Sequence, residues 1–234
     1  MAALIFEQLF DPESCTFTYL VGDRQARVVA LVDPVHEQVE RDLARVAALG
    51  LRLVHTIETH LHADHVTSGN ELAERCGSLP VVHRDSHVAC EALRVVGGDR
   101  VKIGAIELRV IETPGHTPES VSYLLEDRVL TGDALLVGTC GRTDFQGGDA
   151  GQLWDSVHER LFTLPDDTRV FPAHDYKGRT ESRIGDEKKN NARLLRSRAE
   201  FVALMEHLDL PRPRLIDVAL PANLRCGKPK PQGA

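Results

Sequence analysis

Residues 58–68 read ETHLHADHVTS, and this run limits the possible folds more than any other stretch of the chain. His60, His62, Asp64 and His65 are all residue types that bind metals, and they fall within six residues. Such side chains act together only when a rigid element holds their backbone. The segment just before them, 51-LRLVHTIET-59, is short, apolar and rich in β-branched residues, as a strand would be. In extended backbone, residues i and i+2 point the same way, so His60 and His62 can face one metal. Asp64 and His65 begin the next turn and can face a neighbouring position. The same arrangement recurs at a distance. His116 follows 106-IELRVIETP-114, Asp133 closes 128-RVLTGD-133, and His174 lies at the end of 168-TRVFPAHD-175. A fold that uses this pattern places several strand ends in one region, with the loops beyond carrying the ligands. Imidazole suits zinc, iron, copper or nickel, and carboxylate adds affinity for hard metals. His36, His55, His83, His87, His158 and His207 stand alone and read as ordinary surface or core residues.

The rest of the chain alternates strand and helix signals. The N-terminal MAALIFEQLFD, then 16-TFTYLVGD-23 and 27-RVVALVDP-34, read as strands. Val39, Leu43, Val46 and Ala47 form a helical stripe over residues 36–49, which stops at Gly50. A second helix is expected over 66–77, ending at Gly77. Short strands are expected at 80–83, 101–104, 106–114, 120–127, 128–133 and 168–175. Further helices are expected at 150–162 and, as one longer element, over 186–208, with Leu194, Phe201, Val202, Met205 and Leu208 on one face. Such mixing points to packed sheets covered by helices. The 234 residues show no linker or repeat, so residues 1–226 read as a single domain, with 227–234 as a frayed tail.

Composition narrows the function. A net charge of −7 argues against generic binding to nucleic acid or anionic membranes. There is no long apolar run and no basic leader, so a cytoplasmic protein is expected. The cysteines, Cys15, Cys76, Cys90, Cys140 and Cys226, are odd in number and form no CxxC pair. A disulfide framework is therefore not expected, and Cys226 reads as a buried structural thiol.

THLHADH, PGHTPES, TGDALL and PAHD, in that order, resemble the metallo-β-lactamase superfamily across nearly the whole chain. The resemblance implies an αββα sandwich: two mixed sheets flanked by helices, with the metal at one edge. Many members are dinuclear zinc hydrolases, in which a metal-bound water of lowered pKa attacks the substrate. All seven ligand positions are present here, so a thioester hydrolase of the glyoxalase II type is one reading.

Other segments resemble the persulfide dioxygenase branch instead. These are 13-ESCTFTYLVGDRQ-25, 140-CGRTDFQGGD-149, 172-PAHDYKGR-179 and 221-PANLRCG-227, of which CGRTDFQ is the most specific. That branch oxidises glutathione persulfide with O2 to sulfite and glutathione at one Fe(II) per chain. The resemblance implies His60, His116 and Asp133 as the iron ligands. Such a triad leaves open positions for substrate and oxygen. His62, Asp64, His65 and His174 then orient the ligands or bound water through hydrogen bonds. Arg142 is the first candidate for the carboxylates of the anionic substrate, because guanidinium pairs with carboxylate as a fork. Its bland alternative is an ion pair with Asp144. Tyr176 is a candidate for orienting the persulfide or the oxygen, while Asn223 and Arg225 are weaker substrate-binding candidates. The resemblance also implies a homodimer, and a rhodanese-type sulfurtransferase is a conceivable partner.

Overall fold

The computed structural model describes residues 3–228 and contains two six-stranded sheets. The first runs in chain order: β1 (Leu4–Asp11), β2 (Thr16–Asp23), β3 (Val28–Val32), β4 (Arg52–Ile57), β5 (Leu79–His83) and β6 (Leu93–Val95). β1, β2 and β3 pair antiparallel, and β3 to β6 pair in parallel. The second sheet has the order β12 (Ser182–Arg183), β11 (Arg169–Pro172), β10 (Arg128–Gly132), β9 (Val121–Leu125), β8 (Ile106–Glu112), β7 (Arg100–Ile103). Within it, β8, β9 and β10 alternate in direction, and β10 runs parallel to β11. The helices are α1 (Val39–Ala48), α2 (Gly69–Cys76), α3 (Ala150–Ser156), α4 (Ile184–Asn190), α5 (Arg198–Met205) and α6 (Ile216–Asn223). Both sheets are mixed and accompanied by helices, as expected.

Two compact units share the chain. One comprises residues up to Val95, Val101–Leu108 and the segment from Arg212 onward; the other comprises Val96–Arg100 and Arg109–Pro211. In the first, Ile5, Leu20, Val29 and Leu31 from the sheet pack with Val39 and Val46 of α1 and Leu72 of α2. The inner strand β3, antiparallel to β2 and parallel to β4, is buried at all five positions, so it reads as a continuous apolar run rather than an alternation. In the second unit, Val129 and Val170 pack with Leu153, Val157, Leu161, Ile184, Leu194, Phe201 and Met205.

Several expectations need correcting. The long helix over 186–208 is two helices, α4 and α5. Apolar spacing continues through the gap, but two residues interrupt the backbone ladder there. The Asn191 carboxamide oxygen accepts from the Arg193 and Leu194 amides, offering the chain a turn in place of a helix. Ser197 then caps α5, forming a capping box with Glu200. Leu194 is buried from the intervening turn, not from a helical stripe. The helix expected over 150–162 is α3 followed by a π-turn at Val157–Leu161, and that expected over 36–49 opens with a 3₁₀ turn before α1. β6, β12 and α6 were not foreseen. α6 contains Pro221, a residue that disfavours helix interiors.

The cysteine reading also changes. Cys90 and Cys226 form a disulfide across a sequence separation of 136, with Cα atoms 6.2 Å apart. No local spacing marks so distant a pair. Cys15, Cys76 and Cys140 are not in disulfides. Most of the tail expected to fray, residues 229–234, lies outside the described residues. Gly227 is held by a backbone hydrogen bond to Ala222.

Candidate metal centre

The first unit carries the histidine-rich loop. β4 ends at Ile57, and the chain turns into Glu58 and Thr59 beside Asp33, which follows β3. Asp33 has φ +50°, in the left-handed region where Asp is among the better-tolerated residues. Its carboxylate is almost fully buried and anchors the loop. It accepts from the Thr59 amide at 2.7 Å and the Thr59 hydroxyl at 2.8 Å, and lies 3.1 Å from His62 Nε2. Glu58 approaches the same His62 nitrogen at 3.4 Å.

His62 is 1% exposed. Burial alone would push it toward the neutral form. The charge of Asp33 and the hydrogen bonds of Asp33 and Glu58, with Asp64 nearby, more than offset that and raise its pKa well above the usual value. The pocket of carboxylates therefore favours positive charge, whether from a proton or a cation.

With Nε2 engaged by Asp33, His62 Nδ1 has no hydrogen-bond partner among the described residues. His65 shows the mirror arrangement: its Nδ1 lies 2.9 Å from Asp64 Oδ2 and 3.4 Å from the Thr16 hydroxyl, while its buried Nε2 has no such partner. Ligand atoms of His62, Asp64 and His65 come within 4.8 Å of one another. His60 is buried, with Nδ1 2.9 Å from the Thr59 hydroxyl. Buried polar atoms left without a hydrogen bond cost stability unless something else pairs them. The imidazoles are thus held by one nitrogen with the other presented, as metal-binding histidines are.

The second unit carries the other candidates. His116 sits in the turn after β8, next to Gly115, whose φ of +138° and close approach to the Leu153 backbone exclude a side chain. His116 Nδ1 donates to the Arg142 carbonyl at 2.6 Å. That fixes the tautomer and leaves Nε2 as the basic nitrogen, 3.4 Å from Asp133 Oδ2. Asp133 Oδ1 has no hydrogen-bond partner among the described residues and lies 3.6 Å from Nε2 of the buried His174. A basic imidazole nitrogen beside a carboxylate whose other oxygen accepts no hydrogen bond among the described residues is a donor pair suited to a divalent metal.

The CGRTDF segment contributes its backbone. Gly141 donates to the Asp133 carbonyl at 2.8 Å. A Cβ there would sit 2.5 Å from that oxygen and 3.1 Å from His116 Nδ1. The Arg142 guanidinium is already engaged: it forms a fork with Asp144 at 2.7 Å and donates to the Pro211 and Leu210 carbonyls. The fork is the ion pair with Asp144 that was the bland alternative for this residue. Tyr176 is 69% exposed, with its ring stacked 5.9 Å from His174. In the first unit, Asn223 is buried with its carboxamide bonded to the metal loop, and Arg225 is turned to the Lys228 carbonyl.

Sequence reading did not single out Asp33, Glu58 or Thr59 as parts of the site. A signal for Asp33 existed: an acid directly following five apolar strand residues, at 28-VVALVD-33.

The model of the metallo-beta-lactamase superfamily matches residues 14–174. The chain belongs to that superfamily. Within this superfamily it is 46% identical to the human persulfide dioxygenase ETHE1, mitochondrial, over 98% of this chain and 91% of that protein. A crystal structure of ETHE1 from Myxococcus xanthus superposes with a TM-score of 0.94 at 54% identity, covering 96% of this chain and all of that one. A hydroxyacylglutathione hydrolase from Rhodospirillum rubrum is 40% identical, but over 70% of this chain and 63% of its own length. The two mixed sheets with their helices are the αββα fold of the superfamily, and the chain falls in its persulfide dioxygenase branch.

Proposed function

We propose that this chain is a persulfide dioxygenase that converts glutathione persulfide, O2 and water to sulfite and glutathione at a single Fe(II). One observation carries the reading: 46% identity to a persulfide dioxygenase extends over 98% of the chain. The match to the thioester hydrolase stops at 70%.

His60, His116 and Asp133 would hold the iron. The bond from His116 Nδ1 to the Arg142 carbonyl leaves Nε2 as the nitrogen that would ligate the iron. Asp133 supplies the charge-balancing carboxylate beside it. When bound, the iron would supply adjacent open positions at which oxygen and the terminal persulfide sulfur react.

His62, Asp64, His65 and His174 would act by orientation. His62 is locked by Asp33, and His65 by Asp64 and Thr16, so neither ring is free to rotate. Tyr176, exposed and stacked beside His174, would orient the persulfide or the oxygen. The substrate provides all the electrons, so no external reductant is required.

The test pairs two measurements on purified protein. Oxygen uptake with glutathione persulfide, together with about one iron per chain, is the expected outcome. Hydrolysis of S-lactoylglutathione by protein that holds two zinc ions and consumes no oxygen would establish the hydrolase instead.

A further inference from the structure

The C-terminal segment 221-PANLRCG-227 matched the dioxygenase branch, yet none of the chemistry above uses it. One of its side chains, Asn223, is 3% exposed and makes three hydrogen bonds, all to one target. Nδ2 donates to the main-chain carbonyls of His62 and His65, each at 2.9 Å. Oδ1 accepts from the Thr67 amide at 2.9 Å. Both hydrogens of the carboxamide and its oxygen are thereby spent on the backbone of the histidine-rich loop, from a position more than 150 residues further along the chain.

The neighbouring residues reinforce the attachment. The Cys226 carbonyl accepts from the Asn70 amide at the start of α2, and the Leu224 carbonyl accepts from the Ala89 amide. Gly227 has φ +91° and lies so close to the Thr67 carbonyl that a Cβ would collide with it. The disulfide from Cys226 to Cys90 ties the same segment covalently.

We infer that Asn223 is a positioning residue for the metal centre, setting the loop that presents His60, His62 and His65, and is not a contact for substrate. A loop that carries ligands has a backbone rich in polar groups and no ladder to pair them. Its carbonyls at His62 and His65 point the same way and need donors. A carboxamide meets both at once and takes the following N–H in return. No hydrophobic residue of similar size can do this, and neither can aspartate, which lacks the donors.

The inference rests on the proposed metal binding, and its test separates the two. Asn223→Asp keeps the size but turns two donors into acceptors facing carbonyl oxygens. Asn223→Ser is the milder companion should the aspartate variant not fold. Asp217→Asn, on the exposed side of α6, is the control for the segment. Leu72→Val, in the core of the first unit, is the control for a general loss of stability.

Two readouts are taken on metal-free protein: Fe(II) affinity under anaerobic titration, and deuterium exchange of the peptide containing residues 60–68. Both Asn223 variants should bind Fe(II) at least tenfold more weakly and exchange faster in that peptide. Leu72→Val should lose melting temperature without that loss of affinity. Fe(II) affinity within twofold of wild type in a folded Asn223 variant, or unchanged exchange over 60–68, would overturn the assignment. Failure of the wild-type protein to bind iron would count against the metal reading alone, because the exchange comparison tests the Asn223 contact without metal.

Discussion

His62 and His116 are each gripped by one ring nitrogen, but the grip differs. A buried carboxylate, Asp33, holds His62; a main-chain carbonyl, that of Arg142, holds His116. The carboxylate brings charge. It raises the basicity of the ring, stabilises a cation nearby and can be removed by one substitution. The carbonyl brings direction without net charge, and no side-chain substitution at residue 142 deletes it. It can be lost only by moving the backbone. The histidine-rich loop should therefore be vulnerable through side chains, and the CGRTDF segment through glycines.

The largest expected effect comes from Asp33→Ala. It removes the partners of the Thr59 amide, the Thr59 hydroxyl and His62 at once, all buried. The loss should be about 3–5 kcal/mol in denaturant unfolding, with metal affinity lowered roughly 10–100-fold. A variant that keeps wild-type metal affinity would show that the carboxylate grip is dispensable. Next, Gly141→Ala inserts a methyl 2.5 Å from the Asp133 carbonyl and must push the segment away. A cost of about 1–3 kcal/mol is expected, with reduced metal content although no ligand has changed. Normal metal content and stability would mean that the backbone grip tolerates displacement.

Arg142→Ala sharpens the contrast further. It leaves the carbonyl on His116 in place and deletes only the fork to Asp144 and the donations to Leu210 and Pro211. Stability should fall by about 1 kcal/mol, with metal content unaltered. A tenfold rise in KM for glutathione persulfide, equivalent to about 1.4 kcal/mol, would mark Arg142 as a substrate contact.

The smallest effect belongs to a second buried carboxylate in the first unit. Among the described residues, Asp42 has Arg41 as its hydrogen-bond donor and one oxygen without any, and burial raises its pKa. In the folded state it binds a proton more readily than in the unfolded chain. Its contribution is thus fully favourable below the ordinary aspartate range and is lost as pH rises through the raised value. Asp42→Asn should flatten that decline in unfolding midpoint with pH. An unchanged pH dependence would remove Asp42 as its source.

Periodicity read the strands well where one physical rule governs them. TFTYLVGD is β2 residue for residue, because β-branched and aromatic side chains between turn residues leave few alternatives. It failed between α4 and α5, where apolar spacing persisted but Asn191 and Ser197 redirected the backbone through their side chains. At the candidate site, residue types singled out the histidines and Asp133, since few other patterns place such groups at strand ends. What holds them was hidden. The Arg142 contribution is a carbonyl, which every residue has. The Asn223 contacts and the Cys90 link depend on residues brought together from distant parts of the chain.

That link has a topological consequence. The disulfide closes the chain between positions 90 and 226 into a covalent ring that contains His116, Asp133 and His174 but excludes His60. A single protease cut anywhere inside the ring severs the backbone without releasing a fragment. Nicked protein should run at full mass on a non-reducing gel and fall into pieces only after a thiol is added.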